Sequence, residues 1–445
     1  MSRSDYRGVF ETMEECISAA KKAQKELVTK YSLEDRDRFI ASIQKVYKEN
    51  VEELSKLELE ETGFGRLTDK IDKNMGTVNT LPGTESIKHN VLASEKGITI
   101  EFHAPFGVVG AVTPSTNPSI TIMGNAGCCM VAGNAVVFNG HPGAKKSTAW
   151  AVDIFNEAVV KAGGPENLVC TVKEPTMDTL EVIMKSPDVK LLVGTGGPGM
   201  VATLMKSGKR VIAAGAGNPP CIVDETANIA KAAKGIYDSV SYENNTMCIT
   251  EKEIYVVDEI FDKFIEKFIQ CGAYEMSKEE VEKVTATGLI KTEEGYITNK
   301  KCVGKSASEI LKMAGIDVNG EPGVAFFVAE QSHPYVHTEQ LQPVIPIVRC
   351  RNFAQAVEWA VEAEHDCKHS AGIWSNDIYR VTEFGRVIDT TVFVQNGSTS
   401  AAFGAGGTGR DSATIATPTG EGITDPKTFT RMRRFAMGDG GNYLL

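Results

Sequence analysis

Short runs of small and β-branched apolar residues recur along this chain, and loops rich in Gly, Pro, Thr and Asn adjoin them. The clearest runs cover residues 108–112, 135–138 and 254–257, and residues 191–193 form a shorter one. Four or five apolar residues bounded by turn residues are typical of strands that are buried on both faces. Strands of this kind belong to parallel sheets covered by helices. The sequence therefore predicts an α/β fold.

The amino-terminal part predicts two long helices. Thr12 and Glu15 have the spacing of a capping box, and an apolar face with helical spacing follows them. A longer apolar face begins after Ser32, and Gly63 is expected to end that helix. Neither helix carries residues suited to chemistry, so we expect both to be scaffold.

Length and charge argue against several classes of protein. A chain of 445 residues is too long for one ordinary core and predicts two or three domains. The net charge of −11 disfavours a surface for nucleic acid or anionic membranes. The sequence has no apolar run of about 18 residues and no signal-peptide core at its start. Its ten cysteines are too sparse for a disulfide framework. We therefore expect a cytoplasmic protein without nucleic-acid or membrane partners.

One cysteine stands out by its position. Cys248 lies in a polar loop between a strand at 254–257 and a helix, which apolar residues predict at steps of four, three and four after Ile229. Asn244 and Asn245 are suited to leave that helix in the left-handed conformation. Most cysteines are inert packing, and the end of a helix disfavours a thiolate. A thiol in this loop is nevertheless accessible to a small electrophile, which a core thiol is not.

The segment 245–248, Asn-Thr-Met-Cys, resembles the nucleophile loop of the aldehyde dehydrogenase superfamily. More narrowly, it is similar to the coenzyme A-acylating aldehyde dehydrogenases of bacterial microcompartments. Residues 404–409, 414–422 and 429–431 resemble the same branch, so the resemblance covers nearly the whole chain. It implies an aldehyde dehydrogenase-like α/β fold with two open, Rossmann-like domains and a small β flap for oligomerisation.

The resemblance also implies domain boundaries. Residues 1–92 and 107–219 are expected to form the NAD-binding domain, and residues 220–412 the catalytic domain with the nucleophilic cysteine. Residues 93–106 and 413–445 are expected to form the oligomerisation flap and the C-terminal tail. The active site is expected in the cleft between the domains, and the protein is expected to be a homodimer or homotetramer.

The loop at 113–118, Thr-Pro-Ser-Thr-Asn-Pro, follows a predicted buried strand. Loops at the carboxyl ends of parallel strands are where α/β proteins place function. The resemblance implies that the Asn117 side chain belongs to an oxyanion hole, and that Thr113 and Pro114 contact the cofactor. An Asn-Pro turn without a function is the alternative.

The strand at 135–138 runs into a second candidate cofactor loop. In the family, a Lys at this strand end usually contacts the adenosine ribose, and here Asn139 takes its place. Without that Lys a contact to a 2′-phosphate is less favourable, so the resemblance implies NAD rather than NADP. His141 is a candidate to stack on the adenine, or it is a surface residue of a turn. The segment fails the phosphate-loop pattern, because no Gly precedes the Lys-Ser pair at the required spacing.

Gly194, Gly196 and Gly199 follow the strand at 190–193 with the spacing of a dinucleotide fingerprint. Glycine is abundant in this chain, however, and no acidic residue lies about 20 positions further on, where the fingerprint has one. The fingerprint and the family resemblance both imply cofactor contacts by Gly194, Thr195 and Gly196. A tight turn that requires positive φ is the alternative.

Two further cofactor residues follow from the resemblance alone. Gly215 lies in a glycine-rich segment at 213–217. Glu339 lies in a segment at 338–343 that resembles the family's Glu-x-Phe-Gly-Pro, whose Glu holds the nicotinamide ribose hydroxyls. An exposed loop glutamate is the alternative for Glu339.

Hydrolytic members of the family carry a general-base Glu where this sequence has Ala214. Hydrolysis of a thioester requires a base to activate water. A thiol with a pKa of about 8.5 is already partly thiolate at pH 7 and needs no such base. The missing acid therefore indicates transfer of the acyl group to coenzyme A. Glu243, beside the cysteine loop, is the alternative base.

His365, Cys367 and His369 occupy every second position and would share a face if this tract were a strand. Three ligands without a fourth elsewhere give weak support for zinc. The acylating relatives resemble this tract and need no metal, so we expect no metal site.

The predicted activity is oxidation of a short aliphatic aldehyde, propionaldehyde or acetaldehyde, by NAD and coenzyme A to an acyl-CoA. Cys248 forms a thiohemiacetal and then a thioester. The alternatives are an NADPH-dependent acyl-phosphate reductase of the same superfamily and a non-catalytic, shell-associated scaffold. The resemblance implies the lumen of a bacterial microcompartment, reached through an N-terminal targeting segment that this sequence is expected to lack.

Overall fold

The computed structural model of the chain describes residues 6–438. It divides into two compact units. Unit 1 contains the residues up to 61, residues 74–214 and the residues from 411 onward, and unit 2 contains residues 62–73 and 215–410. The functional domain boundaries inferred from the sequence stay a prediction.

Strands and helices alternate through both units. In chain order, strands β1 to β20 cover Val9–Phe10, Asn90–Ser94, Gly97–Pro105, Val108–Val112, Ala135–Asn139, Val169–Val172, Val189–Thr195, Arg210–Ala214, Pro220–Val223, Glu253–Val257, Ala273–Glu275, Leu289–Thr292, Gly295–Thr298, Val324–Ala329, Val344–Cys350, Ser370–Trp374, Val392–Gln395, Ile415–Ala416, Gly422–Ile423 and Thr430–Gly438. Helices α1 to α13 cover Met13–Lys30, Leu33–Thr62, Leu67–Asn79, Pro118–Val131, Lys145–Lys161, Met177–Lys185, Pro198–Met205, Ile229–Ser241, Phe261–Gln270, Lys278–Gly288, Ala307–Met313, Phe353–Glu364 and Ile378–Ile388.

Unit 1 is built on a parallel sheet of six strands in the order β1-β6-β5-β4-β7-β8. β5 and β6 are added on one side of β4, whereas β7 and β8 lie on its other side. β4 and β5 are buried along their whole length, as strands covered on both faces must be. The winding reverses at β4, and α/β proteins bind ligands at the carboxyl ends of strands beside such a reversal.

Unit 2 is built on a parallel sheet of seven strands in the order β11-β14-β15-β10-β9-β16-β17. β9, β10 and β16 are buried throughout. Both units therefore have the parallel α/β architecture that the apolar runs predicted.

A three-stranded antiparallel sheet completes unit 1. The strand predicted near residues 98–103 is β3, which pairs along its whole length with β20 in the carboxyl-terminal tail, while β2 pairs with its other edge. Large apolar side chains are exposed on β2 and β20: Val91, Leu92, Met432, Phe435 and Met437. A role of this sheet in oligomerisation stays a prediction.

The predicted helix boundaries agree with the structure. Thr12 caps α1 and forms the predicted capping box with Glu15. α2 ends at Thr62, directly before Gly63, which has a φ of 69°. Among residues 6–438, no helix combines the length and the apolar character that crossing a bilayer requires.

Candidate functional site

The carboxyl edge of the unit 1 sheet collects most of the candidate cofactor residues. Val112, the last residue of β4, pairs with Asn139 on one side and with Gly194 on the other. The loops that begin at Thr113 and after Thr195 therefore leave the sheet side by side. The structure thus brings together three loops that the sequence singled out, and it does so where the winding reverses.

Two helices begin at this edge, and both N-termini hold a carboxylate from α2. Glu61 accepts hydrogen bonds from the backbone N–H groups of Lys146 (2.7 Å) and Ser147 (2.8 Å) at the start of α5. Glu58 accepts one from the backbone N–H of Ser119 (2.9 Å) at the start of α4. These carboxylates satisfy the N–H groups and the positive dipole end that would otherwise attract a phosphate. The loop after β5 is therefore not a phosphate loop, as its sequence predicted.

The start of α7 differs from the starts of α4 and α5. Its N-cap is Gly197, which has no side chain to cap the first turn, and it follows directly on residues 194–196. A Cβ atom at Gly194 would lie 2.2 Å from Cδ1 of Leu204, so this glycine allows α7 to pack closely on β7. Gly194, Gly196 and Gly199 have φ outside the positive range, so the explanation by a tight turn is wrong. The strand–turn–helix arrangement agrees with a dinucleotide fingerprint.

A buried hydroxyl at this edge has no hydrogen-bond partner within residues 6–438. Thr113 is 1% exposed, and its Oγ1 atom makes no bond to the described residues. An unsatisfied buried hydroxyl costs about 1–3 kcal/mol, so a polar ligand atom that reaches it recovers part of that cost. The unpartnered hydroxyl of Thr113 is therefore the feature that suits this edge of unit 1 to a polar atom of a nucleotide.

Asn139 and His141 already have partners inside the protein. The Asn139 side chain donates to the carbonyl of Thr176 (3.2 Å) and accepts from the hydroxyl of Thr179 (2.7 Å), which ties β5 to the start of α6. Nδ1 of the exposed His141 accepts from the backbone N–H of Gly143 (3.0 Å). Cofactor contacts by Asn139 and His141 stay a prediction.

Ala214, where the sequence resemblance places the missing acid, lies at the same edge. Ala214 is the last residue of β8, is 4% exposed and pairs with Thr195. The backbone N–H of Gly196 donates to its carbonyl (3.3 Å). A methyl group here cannot accept a proton from water. Unit 2 begins at the next residue, Gly215.

In unit 2 the candidate residues lie at the amino edge of the sheet. Residues 215–219 lead into β9, the cysteine loop leads into β10, and residues 337–343 lead into β15. These three strands are parallel neighbours in the order β15-β10-β9. Cys248 and Glu339 therefore share one edge of the sheet, although 90 residues separate them in the chain.

Three consecutive left-handed residues lead from α8 into the cysteine loop. Glu243, Asn244 and Asn245 have φ angles of 51°, 53° and 59°. The sequence predicted this conformation for the asparagines, but a glutamate is strained there. The Asn244 side chain donates to the carbonyl of Gly304 (2.8 Å), and the Asn245 side chain donates to the carbonyl of Gln342 (3.0 Å). The side chains of the turn therefore fix it to the backbone of distant segments.

Glu243 is an anchor of this turn. Its fully buried carboxylate accepts hydrogen bonds from Nζ of Lys70 (3.1 Å), from Nζ of Lys73 and from the backbone N–H of Arg66 (3.1 Å). Its own N–H donates to the carboxylate of Asp69 (2.9 Å). Burial raises the pKa of Glu243, but the two lysines lower it by more, so that the pKa lies below the ordinary glutamate value. A carboxylate held in this way is a poor proton acceptor, which argues against Glu243 as the alternative base.

A buried lysine that the sequence analysis missed holds the cysteine loop from inside. Lys252 is fully buried, and its Nζ donates to the carbonyl oxygens of Asn245 (3.2 Å) and Met247 (2.9 Å). It also donates to the side-chain oxygens of Asn245 (2.7 Å) and Thr250 (3.2 Å). Burial lowers the pKa of Lys252 to about 8, against the opposing effect of nearby acidic groups. The lysine is thus still mostly protonated at pH 7.

Glu339 is half-buried rather than the exposed loop glutamate of the alternative interpretation. Its Oε1 accepts from the backbone N–H of Gly217 (3.4 Å). Burial raises the pKa of Glu339 to about 7, and Lys252 and the Gly217 amide oppose that rise. Its contact with a nicotinamide ribose stays a prediction.

The tract at 365–369 is a turn and not a strand. His365, Asp366 and Lys368 have left-handed φ angles of 57°, 56° and 54°, and β16 begins only at Ser370. The alternation of ligands across a strand is therefore wrong. Within residues 6–438, no three His, Cys, Asp or Glu side chains are grouped so that they could hold a metal ion.

The structure has all ten cysteines as thiols. Three of them, Cys248, Cys271 and Cys367, are partly exposed. Cys128 and Cys129 are buried, and burial raises their pKa well above the usual thiol value. Of the partly exposed cysteines, Cys248 alone lies in the loop held by Lys252.

These two parallel sheets and this cysteine loop define the class of the protein. The model of the aldehyde dehydrogenase family matches residues 6–414. The chain belongs to the aldehyde dehydrogenase family.

Proteins similar to this chain include members of the acylating branch. The acetylating acetaldehyde dehydrogenase of Bilophila wadsworthia is 41% identical over 440 residues, which are 97% of this chain and 90% of the relative. A propionaldehyde dehydrogenase from the fucose-utilisation microcompartment of Clostridium phytofermentans is 42% identical with a TM-score of 0.94, covering 98% and 99% of the two chains. The propionaldehyde dehydrogenase of Rhodopseudomonas palustris, solved with bound CoA and an acylated cysteine, is 40% identical with a TM-score of 0.93, covering 97% and 98%. The branch implied by the sequence is confirmed.

Proposed function

We propose that this chain oxidises a short aliphatic aldehyde, propionaldehyde or acetaldehyde, with NAD and coenzyme A, and releases the acyl-CoA. The observation that carries the proposal is the partly exposed Cys248 on a rigidly held loop, combined with Ala214 where a hydrolytic enzyme has its base. A cysteine can form a thioester without that base, but water cannot readily cleave the thioester.

In the proposed reaction, Sγ of Cys248 adds to the carbonyl carbon of the aldehyde, and the carbonyl oxygen becomes an oxyanion. We propose the backbone N–H of Cys248 and the side chain of Asn117 as its donors, each worth about 2.7–4 kcal/mol in a site of this type. When bound, NAD accepts the hydride from the reacting carbon and coenzyme A takes the acyl group from the sulfur. Between these events Cys248 carries the thioester, and Ala214 provides no base for water.

Most of the proposed cofactor residues lie at the carboxyl edge of the unit 1 sheet. The unpartnered hydroxyl of Thr113 and the glycine-lined start of α7 support this placement. We propose NAD over NADP because Asn139 brings no positive charge for a 2′-phosphate. The proposed contacts are Thr113, Pro114, Asn139, His141, Gly194, Thr195, Gly196, Gly215 and Glu339.

The experiment that tests the function is product analysis with propionaldehyde and NAD, with and without coenzyme A. We expect steady NADH formation only with coenzyme A, and at most one turnover per active site without it. Free propionate formed at a rate comparable to the coenzyme A-dependent rate would overturn the proposal. A reaction that uses phosphate and NADP instead would indicate the acyl-phosphate reductase. The absence of NADH formation with several short aldehydes would indicate the non-catalytic scaffold.

Ala214→Glu sharpens this test. If Ala214 occupies the position of the hydrolytic base, the new carboxylate raises propionate release in the absence of coenzyme A. Ala214→Gln is the matched control, because it adds the same volume without a base. Equal propionate release by the two variants would contradict the alignment.

We also propose a homodimer or homotetramer and a place in the lumen of a bacterial microcompartment. The exposed apolar side chains on β2 and β20 support the first proposal. The microcompartment origin of the Clostridium relative supports the second. Light scattering of Phe435→Glu tests assembly through this sheet, and a monomeric wild-type protein would refute the proposed oligomer.

Detection of the native protein in purified shells tests the proposed location in a microcompartment.

A further inference from the structure

The ammonium group of Lys252 is buried among neutral acceptors. Its four hydrogen bonds go to oxygen atoms of Asn245, Met247 and Thr250, and it forms no salt bridge within residues 6–438. Burying a charge without an ion pair is costly unless hydrogen bonds compensate for lost water. All of these acceptors belong to the loop that carries Cys248, so one short segment compensates for the desolvation of the ammonium group.

The bond to Met247 determines the direction of the next N–H group. The carbonyl of Met247 accepts from Nζ of Lys252 (2.9 Å) and from Oγ1 of Thr250 (2.8 Å). The same peptide unit contains the N–H of Cys248, and in a planar trans peptide the N–H points opposite to the carbonyl. With the carbonyl turned toward Lys252, the N–H of Cys248 is therefore directed away from the buried lysine.

We propose that Lys252 is a positioning residue for Cys248, which orients the Met247–Cys248 peptide for oxyanion binding and places a positive charge near the thiol. The inference rests on the proposed function in taking the N–H of Cys248 as an oxyanion donor. It goes beyond that function by assigning the orientation of the donor to a residue that does not touch substrate.

The other ionisable groups near Lys252 are acidic groups, which favour its charged form, and one histidine. These groups are Cys248, Glu251, Glu253, Glu339 and His369. Burial raises the pKa of all three carboxyls, which biases each toward its neutral form. Burial also lowers the pKa of the imidazole to about 4, so that it is neutral at pH 7. The lysine is therefore the positive charge of this cluster.

The test is Lys252→Met, studied by iodoacetamide labelling of Cys248 across about pH 6 to 9 with readout on the Cys248 peptide by mass spectrometry. Loss of the charge is expected to move the labelling midpoint upward by about one pH unit or more. Loss of the peptide orientation is expected to lower kcat by about 10²-fold, as for an oxyanion-hole donor, with nucleotide binding unchanged. Labelling requires no substrate, so its result is independent of whether the proposed function is correct.

Lys209→Met is the matched control. Nζ of Lys209 also donates to two backbone carbonyls, those of Ser186 (2.8 Å) and Val189 (2.9 Å), but in unit 1. It is expected to keep the wild-type labelling profile and kcat even if its melting temperature falls.

A Lys252→Met protein with the labelling midpoint and kcat of the wild type overturns the proposal. If that variant does not fold, Thr250→Val decides, since it removes the hydroxyl that also holds the Met247 carbonyl. We expect Thr250→Val to lose kcat several-fold with unchanged nucleotide binding. A wild-type kcat in a folded Thr250→Val protein overturns the proposal equally.

Discussion

The two units carry their candidate residues at opposite edges of similar parallel sheets. Unit 1 uses the carboxyl edge, where Val112, Asn139 and Thr195 end neighbouring strands. Unit 2 uses the amino edge, where the loops of Cys248 and Glu339 enter neighbouring strands. Parallel architecture alone therefore does not decide which edge carries function.

The helix dipoles explain why the two edges are built from different residues. Helices that connect parallel strands direct their N-termini to the carboxyl edge and their C-termini to the amino edge. At the carboxyl edge of unit 1, small residues, a hydroxyl and the start of α7 suit an anionic nucleotide. At the amino edge of unit 2, α8 ends at Ser241 and α12 ends at Glu364, so the dipoles disfavour a thiolate. Buried Lys252 supplies the positive charge that this edge lacks.

At the carboxyl edge of unit 2, charged side chains pair with one another. Fully buried Asp224 accepts hydrogen bonds from the hydroxyl of Ser375 (2.6 Å) and from Nη1 of Arg380 (3.2 Å). Glu225 accepts one from Nη2 of the same arginine (2.6 Å). These groups satisfy one another, so Asp224 and Glu225 have a structural role at this edge.

The largest effect is expected from Cys248→Ala, which removes the nucleophile at the amino edge. We expect turnover to fall by more than about 10³-fold, because the thioester can no longer form. Folding and NAD binding should remain, since the proposed nucleotide edge belongs mainly to unit 1. NADH formation measures turnover, and nucleotide titration measures NAD binding. Cys129→Ala, in the core, should lower stability and keep kcat, and a Cys248→Ala rate above a few per cent of wild type would contradict the assignment.

Glu243→Gln tests whether a buried ion cluster holds the amino edge. Because the folded-state pKa of Glu243 is depressed, its stabilising effect is present above the unfolded pKa and is lost as pH falls through the folded value, below 4.5. We expect the variant to lose about 3–5 kcal/mol of unfolding free energy at pH 7, because two buried lysines lose their partner. Urea unfolding should show a smaller difference near pH 4. Exposed Glu282→Gln is the control, and a difference independent of pH would refute the account.

Asn117→Ala asks whether unit 1 also contributes to the chemistry. Asn117 precedes α4, but its side chain does not cap that helix, so its replacement removes no helix cap. We expect kcat to fall by about 10²-fold with unchanged NAD affinity, the loss typical of one oxyanion donor. Thr116→Val tests the neighbouring residue, whose hydroxyl accepts a hydrogen bond from the Asn117 side chain (3.4 Å). A larger loss in Thr116→Val would transfer the role to that residue.

The smallest effect is expected from Thr113→Val, compared with Thr148→Val. Both hydroxyls are buried and have no partner within residues 6–438. Replacing either with a methyl group should raise stability by up to about 1 kcal/mol. Only Thr113→Val should weaken NAD binding, by about fivefold for a lost hydrogen bond of about 1 kcal/mol. Melting temperatures and nucleotide titration measure both effects, and equal nucleotide affinities in the two variants would remove Thr113 from the cofactor site.

Local patterns were sufficient for the elements and for the class of protein. The Thr12 capping box, the strand at 254–257 and the left-handed Asn244 and Asn245 depend on neighbours within a few residues, which any reader of the sequence can see. The short segment around Cys248 was likewise sufficient for the family, which the match over residues 6–414 confirms. The tract at 365–369 shows the limit, because spacing by two does not distinguish a strand from a turn.

Only the tertiary structure determined which buried partners stabilise the cysteine loop of unit 2. Lys252 stands between Glu251 and Glu253 in the sequence and looks like part of a charged surface, yet it is buried because carbonyls of the cysteine loop turn toward it. From the sequence, Glu243 is a candidate base. In the structure its carboxylate accepts hydrogen bonds from Lys70 and Lys73, which lie 170 or more positions earlier in the chain. Buried charge is stable only in the company of specific partners. Those partners are brought together by chain topology, which local spacing does not encode.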